Sequence, residues 1–257
     1  MQDFAKAAAA IEGAKRVVAF TGAGISVESG IPPFRGANGL WAQIDPSFIE
    51  LSYFLSKPNQ SWELIRKIFY EVFDKAEPND AHRALAALER AGKLDCVITQ
   101  NIDNLHQEAG NTIVHEYHGT AQRMLCLECG HPVPADEVNT EILPPRCAKP
   151  GCGGILKPDF IFFGEAIPEQ AARASAQAAG RAEVMLVIGT AGEVMPACGL
   201  PHVAKEAGAT IIEINPERSA FTSVITDIHL CGTATEMMRG LLGALRAPLH
   251  IRDRAGC

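Results

Sequence analysis

Four of the chain's eight cysteines fall in one short segment with the spacing of a metal site. Two residues separate Cys126 from Cys129, and four residues separate Cys147 from Cys152. Two close thiolate pairs on neighbouring turns can surround one Zn²⁺ with four sulfur ligands, which this ion accepts well. A zinc ion held by four protein ligands has no open position, so it would stabilise structure and do no chemistry. A redox dithiol pair and an iron–sulfur cluster are the alternative interpretations.

A glycine-rich turn, Gly22–Ser26, follows the first apolar run of the chain, Val17–Thr21. Glycines after a first strand let the backbone approach a pyrophosphate, and the N-terminus of a following helix favours its negative charge. Val27 stands where such turns usually carry a third glycine, so a simple tight turn is the alternative. A long loop comes next, and long loops beside nucleotide-binding turns are usually functional. In this loop Phe34 can cover a ring and Arg35 can hold a phosphate, although a core side chain and a surface residue are the plainer interpretations.

The apolar run Cys96–Thr99 ends in a polar sequence, Gln100–Asn104. In open α/β sheets the ligand site lies at the carboxyl ends of the strands. Because buried polar side chains need partners, we expect these residues to line a cleft, with one of them capping the next helix. Histidine can act as a general base near neutral pH, and His118 is a candidate for this role. His106 and His115 are competing candidates.

Apolar runs and helical patterns alternate along most of the chain, which is typical of a doubly wound α/β fold with a parallel sheet. The predicted strands are Val17–Thr21, Cys96–Thr99, Val184–Ile188 and Ile211–Ile214. The predicted helices are Asp3–Glu12, Trp62–Lys75, Asp80–Ala91, Glu169–Ala179, Cys198–Ala207 and Thr235–Leu245. Residues 36–75 and 120–157 break the alternation, and we expect these two insertions to form a smaller lobe together.

The composition limits the classes of protein to which the chain can belong. Hydrophobic residues make up 47% of its 257 residues, which is enough for a sizeable core. No run approaches the roughly 18 apolar residues of a membrane helix, and the first residues lack the pattern of a secretory signal. The formal net charge of −7 makes non-specific nucleic-acid binding unfavourable. We therefore expect a cytoplasmic protein that binds neither membranes nor nucleic acid directly.

Together with several further motifs, these features resemble the sirtuin family in residue types and in order. The matching motifs are Gly22–Ser26, Gly30–Pro32 with Phe34 and Arg35, Gln100–Asp103, His118 with Gly119, the four cysteines, Lys157–Asp159, Phe163–Glu165, Gly189 with Thr190, and Asn215. The resemblance runs from about residue 11 to about residue 245. Several motifs in the correct order are far more specific than any one of them.

The resemblance implies a Rossmann-like NAD-binding domain formed by residues 1–35, 76–119 and 158–257. Residues 36–75 would form a helical insertion with the cofactor loop, and residues 120–157 a zinc-ribbon module; together they would make the smaller lobe. The implied activity is that of an NAD-dependent protein lysine deacylase acting on acylated lysine peptides and proteins. NAD would be consumed as a co-substrate, and one structural Zn²⁺ would be bound per chain. We expect a monomer.

The resemblance also implies roles for individual residues. His118 matches the catalytic base, and Asn101 matches a second catalytic residue. The positions that match contacts to NAD are Gly22, Ala23, Gly24, Ile25, Phe34, Arg35, Trp41, Gln100, Asn101, Ile102, Asp103, Gly189, Thr190, Ala191, Asn215, Glu217 and Ala234. The positions that match two strands holding the acyl-lysine peptide by backbone pairing are Ile161, Phe162, Phe163, Gly164, Glu165, Gly192, Glu193 and Val194.

In the implied reaction, the acyl oxygen of the substrate lysine attacks C1′ of the nicotinamide ribose as nicotinamide leaves. His118 then acts as the base for a ribose hydroxyl, and the products are free lysine, nicotinamide and O-acyl-ADP-ribose. The cleft must exclude water, and Phe34 on a closing loop suits that task. A protein ADP-ribosyltransferase and a non-catalytic NAD sensor are the alternative functions.

Three positions depart from patterns found in the family. Pro33 stands where many relatives have Asp or Thr, and Ala191 replaces a common Ser. Members that prefer succinyl-lysine carry a Tyr-x-x-Arg pair that binds the acyl carboxylate. In this chain Phe73 lies three residues after Tyr70, so the arginine is missing at that spacing. We therefore expect acetyl or other neutral acyl groups to be removed in preference to succinyl.

Overall fold

A computed structural model describes residues 3–34 and 39–245 of the chain. The strands within these residues are β1 (Val17–Thr21), β2 (Cys96–Thr99), β3 (Val114–Glu116), β4 (Gly119–Cys126), β5 (Pro132–Pro134), β6 (Leu156–Phe160), β7 (Val184–Ile188), β8 (Thr210–Asn215) and β9 (Ile228–Cys231). They form a large sheet of six strands and a small sheet of three.

The helices surround these two sheets. The α-helices in the described residues are α1 (Phe4–Gly13), α2 (Leu40–Gln43), α3 (Leu51–Ser56), α4 (Pro58–Ile65), α5 (Glu71–Phe73), α6 (Asp80–Arg90), α7 (Leu105–Glu108), α8 (Glu169–Ala179), α9 (Gly199–Glu206) and α10 (Ala234–Ala244). Short 3-10 helices occur at Ala23–Ser29, Pro46–Ile49 and Ala135–Glu137, and a π-helical turn, Arg66–Tyr70, joins α4 to α5. None of the helices in the described part of the chain is long and apolar enough to cross a bilayer.

The large sheet is parallel throughout, with the strand order β3-β2-β1-β7-β8-β9. Both of its faces are buried, because successive side chains of a strand point to opposite sides. In β1, Val17 and Ala19 belong to one core, while Val18 and Phe20 belong to the other. Helices α1, α6 and α10 cover the first face, and α8 and α9 cover the second. This is the doubly wound α/β fold that the alternating sequence pattern predicts.

The large sheet contains the four predicted strands and two more, β3 and β9, at its edges. All three residues of β3 are half-buried, and β9 alternates between buried and more exposed positions. Neither therefore shows the continuous apolar run of a central strand. The predicted helix Trp62–Lys75 also differs, since helical structure begins earlier, at Pro58, and includes the π-helical turn.

The small sheet is antiparallel, with the order β5-β4-β6, and it carries the cysteine cluster. It shares one core with the helices of residues 40–73, in which the rings of Phe69 and Phe160 lie 5.2 Å apart. Trp62 Nε1 donates a hydrogen bond to the carbonyl of Leu156 at 2.9 Å, and the Tyr70 hydroxyl donates to the carbonyl of Ala121 at 3.1 Å. The two insertions therefore form a single smaller lobe, as the sequence predicts.

The chain passes from the large sheet to the small one at residues 117 and 118. Strand β3 ends at Glu116, and β4 begins at Gly119. Ile161, which follows β6, donates its N–H to the carbonyl of His118 at 2.8 Å, so the two lobes are joined at this histidine. The predicted division of the chain into residues 1–35, 36–75, 76–119, 120–157 and 158–257 stays a prediction.

Candidate active site

The two halves of the large sheet meet between β1 and β7, where the strand order reverses. In sheets of this order the dinucleotide-binding crevice lies at the carboxyl ends of the strands at this switch point. Here the Gly24 N–H donates to the carbonyl of Gly189 at 2.8 Å, and a Cβ on Gly24 would lie 2.6 Å from the Cα of Gly189. The two turns are therefore too close together for a side chain to fit between them. The helix that follows is the 3-10 helix Ala23–Ser29, not the longer helix of a typical dinucleotide-binding turn.

Polar side chains after β2 bond to the turns that follow β1 and β7. Gln100 Nε2 donates to the hydroxyl of Thr190 at 3.2 Å. Asn101 Nδ2 donates to the carbonyl of Gly22 at 3.2 Å and to the hydroxyl of Ser26 at 3.1 Å. Hydrogen bonds from Gln100 and Asn101 therefore join the carboxyl ends of three neighbouring strands.

Asp103 is 6% exposed and bonds in two directions. The Ser26 hydroxyl donates to its Oδ2 at 2.7 Å, and the Leu105 N–H donates to its Oδ1 at 3.1 Å. Burial raises the pKa of Asp103, although both hydrogen bonds act in the opposite direction. Asp103 thus accepts the N–H of Leu105, the first residue of α7, while the N-cap position itself is Asn104, whose side chain makes no capping bond. Ile102, which precedes Asp103, packs into the core of the small lobe.

His106, one of the three candidate bases, is enclosed behind the polar cluster. Its Nε2 lies 2.9 Å from the hydroxyl of Thr21, which donates to the hydroxyl of Thr99 at 2.9 Å. The ring of His82 packs edge-on against it, with 4.9 Å between the ring centres. Burial, with a smaller effect of His82, lowers the pKa of His106 well below its ordinary value. His106 is 1% exposed, so it cannot face a ligand in the cleft.

His118 lies just past the carboxyl edge of the sheet, next to the end of β2. The register pairs Thr99 with Glu116, and the Tyr117 N–H donates to the carbonyl of Thr99 at 2.9 Å. The ring of Tyr117 stands edge-on to that of His118. Burial lowers the pKa of His118 to about 4, so its imidazole is neutral at pH 7 and can accept a proton.

His115, the third candidate base, lines a different cavity, together with Arg16, Cys96 and Arg181. Arg16 directly precedes β1, and Cys96 is the first residue of β2. This cavity therefore opens at the amino ends of the strands, opposite the glycine turns. His106 lies near the carboxyl edge, beside Thr21, but it is enclosed, so His118 is the candidate base that can face the cleft.

The loop after the glycine turn directs its aromatic side chains toward the small lobe. The rings of Phe34 and Trp41 are stacked, 5.3 Å apart, and Phe34 lies 6.3 Å from the ring of Phe69. The Trp41 N–H donates to the carbonyl of Phe34 at 3.0 Å. Arg35 lies outside the described residues. The loop thus links the switch point to the core of the small lobe.

Six further positions expected to contact NAD also lie at the carboxyl edge. Gly189–Ala191 follow β7, and Asn215, the last residue of β8, donates from Nδ2 to the carbonyl of Thr190 at 3.1 Å. Glu217 is exposed in the next turn, and Ala234 is the first residue of α10. The sheet therefore brings these positions to the same edge as the glycine turns.

The two segments expected to hold a peptide leave different sheets. Ile161–Glu165 follows β6, and within it the Phe163 N–H donates to the carbonyl of Ile49 at 2.9 Å. Gly192–Val194 follows β7 and packs on Phe221, whose ring would lie 2.7 Å from a Cβ on Gly192. Phe163 is 45% exposed, which leaves apolar surface open at the first segment.

The four clustered cysteines meet in the small lobe, with their sulfur atoms all within 4.8 Å of one another. The Sγ atoms of Cys126 and Cys152 are 3.5 Å apart, and those of Cys129 and Cys147 are 3.9 Å apart. A tetrahedron with Zn–S bonds of about 2.3 Å requires sulfur separations of about 3.8 Å. The donor set therefore fits one structural Zn²⁺, as the spacing predicts.

Comparison with known proteins decides the family. A model of the Sir2 family matches residues 22–196, which is more than half of the chain. The chain belongs to the Sir2 family. The NAD-dependent protein deacetylase 1 of Pyrobaculum aerophilum is 44% identical over 234 residues, which cover 90% of this Sir2 chain and 91% of that protein.

Solved Sir2 structures share the fold of this Sir2 chain. A Sir2 homologue mutant in complex with ADP-ribose has a TM-score of 0.89 and 38% identity, and the match covers 96% of this chain and 97% of that one. A Sir2 complex with a p53 peptide and NAD⁺ has a TM-score of 0.83 and 30% identity, covering 91% and 95% of the two chains. The resemblance to sirtuins and the Rossmann-like fold with a smaller lobe are thus confirmed.

Four buried polar residues of this Sir2 site are not predicted as site residues from the sequence: Thr21, Ser26, His82 and Thr99. Each is 3% exposed or less. Thr21, Ser26 and Thr99 belong to the hydrogen-bonded groups described above, and His82 Nε2 lies 3.5 Å from the Ser26 hydroxyl. Thr21 and Thr99 are the last residues of β1 and β2, and a hydroxyl at the end of an apolar strand is a signal in the sequence. His82 stands between apolar residues on the buried face of α6, which is a second such signal.

This Sir2 chain is expected to lose stability as the pH falls below about 6.5, the ordinary pKa of histidine. Burial lowers the pKa of His82 to about 4 and that of His106 well below its ordinary value. As the pH falls through this window, the unfolded chain binds protons at these residues and the folded chain does not. Stability is therefore fully present above the ordinary pKa and declines toward the lowered one.

Melting curves recorded between about pH 7.5 and 4.5 measure this effect, since each kcal/mol lost lowers the Tm by about 2–4 °C. The His82→Gln variant should show a shallower decline, because it removes one of the buried histidines whose pKa is lowered. If the Tm of His82→Gln falls as steeply with pH as that of the unaltered chain, His82 does not contribute to the loss of stability.

Proposed function

We propose that this protein is an NAD-dependent lysine deacylase that removes acetyl or other neutral acyl groups from protein lysines. The observation that carries the proposal is the placement of His118 at the same sheet edge as the glycine turns and the polar end of β2. The relative named NAD-dependent protein deacetylase 1 and the Sir2 complex with a p53 peptide and NAD⁺ support it.

NAD is proposed to bind across the switch point. The close backbone contact between Gly24 and Gly189 leaves a surface without side chains, which suits a pyrophosphate. Arg35 would pair with its charge. Around the adenosine half we place Gly189, Thr190, Ala191, Asn215, Glu217 and Ala234, and around the nicotinamide half Gln100, Asn101, Ile102 and Asp103.

When bound, NAD supplies the ADP-ribose that accepts the acyl group and releases nicotinamide. The neutral imidazole of His118 takes a proton from a ribose hydroxyl, which makes that oxygen a better nucleophile. Asn101, held by Gly22 and Ser26, orients the bound groups. Phe34 closes the cleft against water, which would otherwise hydrolyse NAD.

The acylated lysine is proposed to enter as an extended peptide between Ile161–Glu165 and Gly192–Val194. Main-chain pairing provides the affinity in this mode of recognition. Because main-chain groups are the same in every peptide, we expect weak selection among peptide sequences. The p53 peptide in the Sir2 complex supports this kind of partner.

We further propose that the protein is a cytoplasmic monomer whose partners are proteins rather than nucleic acid or membranes. The net charge of −7 favours basic, lysine-rich partners over nucleic acid. The division into a large NAD-binding domain and a small lobe of residues 36–75 and 120–157 belongs to the same proposal. It is supported by the core that the two insertions share.

A mass-spectrometric assay of acylated peptides with NAD tests the proposed function. The expected products are unmodified lysine, nicotinamide and O-acyl-ADP-ribose, with nicotinamide release that depends on the acylated peptide. Label from NAD appearing on protein without loss of the acyl group would indicate an ADP-ribosyltransferase instead. NAD binding with no nicotinamide release would indicate a sensor.

Acetyl-lysine peptides should be deacylated faster than succinyl-lysine peptides of the same sequence. The Tyr70 hydroxyl is already bonded to the carbonyl of Ala121, and its ring stacks on Trp62. The Tyr70 hydroxyl is thus occupied, and Phe73 stands at the spacing where an arginine would bind an acyl carboxylate. Comparison of kcat/KM for the two peptides checks this, and a higher value for succinyl would overturn it. A loss of one charge-assisted contact corresponds to about 1.5–3 kcal/mol, or at least about a tenfold preference.

A further inference from the structure

Lys157, on β6, is a charged side chain buried within the small lobe, and the residue is 6% exposed. Its Nζ donates to the carbonyl of Pro158 at 3.0 Å and to that of Phe160 at 2.8 Å, and lies 2.9 Å from Glu165 Oε2. It also lies 4.1 Å from the centre of the Phe162 ring. An ammonium group has three protons, and here each has an acceptor, as a buried charge requires.

Glu165 connects this ammonium group to the backbone of the segment after β6. The same Oε2 atom that pairs with Lys157 accepts the N–H of Phe162 at 2.7 Å. The Glu165 N–H in turn donates to the carbonyl of Phe162 at 3.0 Å. The backbone from Pro158 to Glu165 is therefore wrapped around a single positive charge.

The wrapped segment includes Ile161–Glu165, which we propose as one of the two peptide-binding strands. One of its edges is occupied inside the protein, where Phe163 pairs with Ile49 and Leu51 at 2.9 and 3.0 Å. A peptide can therefore add only along the other edge. Strand addition needs main-chain groups at extended spacing, so the conformation of this short segment determines whether the peptide can pair.

We propose that Lys157 is a positioning residue: through Glu165 and the carbonyl of Phe160, it holds Ile161–Glu165 in the conformation that pairs with the acyl-lysine peptide. The proposal rests on the proposed deacylase function and adds the group that shapes its peptide site. Lys157 acts through the backbone and through Glu165, without touching NAD or the reacting atoms.

A purely structural role is the alternative. Buried ion pairs contribute little net stability, because desolvation of the charges offsets their attraction, whereas removal of one partner leaves the other uncompensated. A structural role would therefore appear as a lower melting temperature, with the kinetics of the folded fraction unchanged. A positioning role would change the binding of one substrate and not of the other.

Steady-state kinetics on the full chain, with an acetyl-lysine peptide and NAD varied separately, distinguish these roles. In Lys157→Met we expect the KM for the peptide to rise about 10- to 100-fold, as for a misplaced binding group. The KM for NAD should stay within about twofold, because the switch point is built from other residues. Arg123→Met is the matched control, since it removes the cation of the exposed pair that Arg123 makes with Asp159 on β4 and β6. It should leave both KM values unchanged.

Glu165→Gln is a second variant, which keeps an acceptor for the Phe162 N–H but weakens the pairing with Lys157. It should raise the KM for the peptide by a smaller factor. If melting curves and zinc content show that Lys157→Met does not fold, the KM values of Glu165→Gln test the positioning role instead. A folded variant with an unaltered KM for the peptide, or an equal rise in both KM values, would overturn the proposal.

Should the unaltered chain release no nicotinamide with acylated peptide, the proposed function itself fails. Binding of a fluorescent acetyl-lysine peptide then tests Lys157 alone, with weaker binding by Lys157→Met as the supporting result and equal binding as the overturning one.

Discussion

The His118→Ala variant is expected to deacylate an acetyl-lysine peptide about 10²- to 10⁴-fold more slowly than the unaltered chain, which is the usual contribution of a positioned general base. His118 lies at the carboxyl edge of the large sheet, beside the end of β2, and unlike His106 it is not enclosed in the interior. Because burial lowers its pKa to about 4, almost all of it is in the proton-accepting form at pH 7. Mass-spectrometric measurement of kcat/KM for the acetylated peptide gives the factor directly.

His115→Asn is the control for this loss, because His115 lies three residues earlier and lines a cavity at the opposite edge of the sheet. It should keep the activity of the unaltered chain. His118→Ala should also keep its zinc and its melting temperature, since its backbone carbonyl, which accepts the Ile161 N–H, is retained. Equal losses in both variants, or full activity in His118→Ala, would remove the chemical basis of the proposed function.

Replacement of Cys147 by serine is expected to release zinc and to unfold the small lobe. Cys126 and Cys147 are at once members of the proposed metal site and of the small-lobe core, with Met124 and Phe160. Zinc binding is worth about 10–16 kcal/mol in zinc-finger peptides at pH 7, which is comparable to the whole stability of an ordinary domain. We therefore expect zinc content to fall from one ion per chain to almost none, with loss of the cooperative melting transition.

Cys231→Ser is the matched control, because Cys231 is exposed and lies on β9, away from the cluster. Its thiol donates to the carbonyl of Pro216, a hydrogen bond that a serine hydroxyl can make as well. Elemental analysis of both variants should find one zinc ion in this control only. Iron with visible absorption in the unaltered chain would point to a cluster of iron and sulfur, and retention of zinc by Cys147→Ser would show that the assigned ligand set is wrong.

The sequence predicts the large sheet well because its central strands are buried on both faces and therefore read as short apolar runs. Strands β3 and β9 escape this pattern because an edge strand mixes buried and exposed positions. Strand β5, Pro132–Pro134, contains two prolines, which weaken any strand pattern although they are tolerated at an edge. The sequence therefore does not reveal β5, and its place in the small sheet is seen only in the structure, where it pairs with β4.

The candidate site was predictable where one motif carries the chemistry, as in the glycine turn, the polar end of β2 and the cysteine pairs. Residue chemistry alone left three histidines open, and the family resemblance selected His118. The structure adds the physical reason, because the register ends at Glu116, just before His118, and His106 is enclosed. The sequence also did not predict the roles of Ser26 and Lys157. Ser26 bonds to Asp103, which is distant in the sequence, and Lys157 pairs with Glu165 because the segment after β6 folds back on it. Neither partner can be recognised before the fold is known.

The shared core of the small lobe has a consequence for how the chain emerges during synthesis. Trp62 bonds to Leu156, 94 residues later, and the aromatic rings of residues 48–69 pack against β4 and β6. Ribosomes add about 5–20 residues per second, so the helices of the first insertion wait about 5–20 s for the strands that cover them. During that interval their apolar faces have no native partner, and nascent-chain chaperones have their best opportunity to bind. Because Cys126 and Cys147 belong to the same core, zinc binding would help to end this exposure.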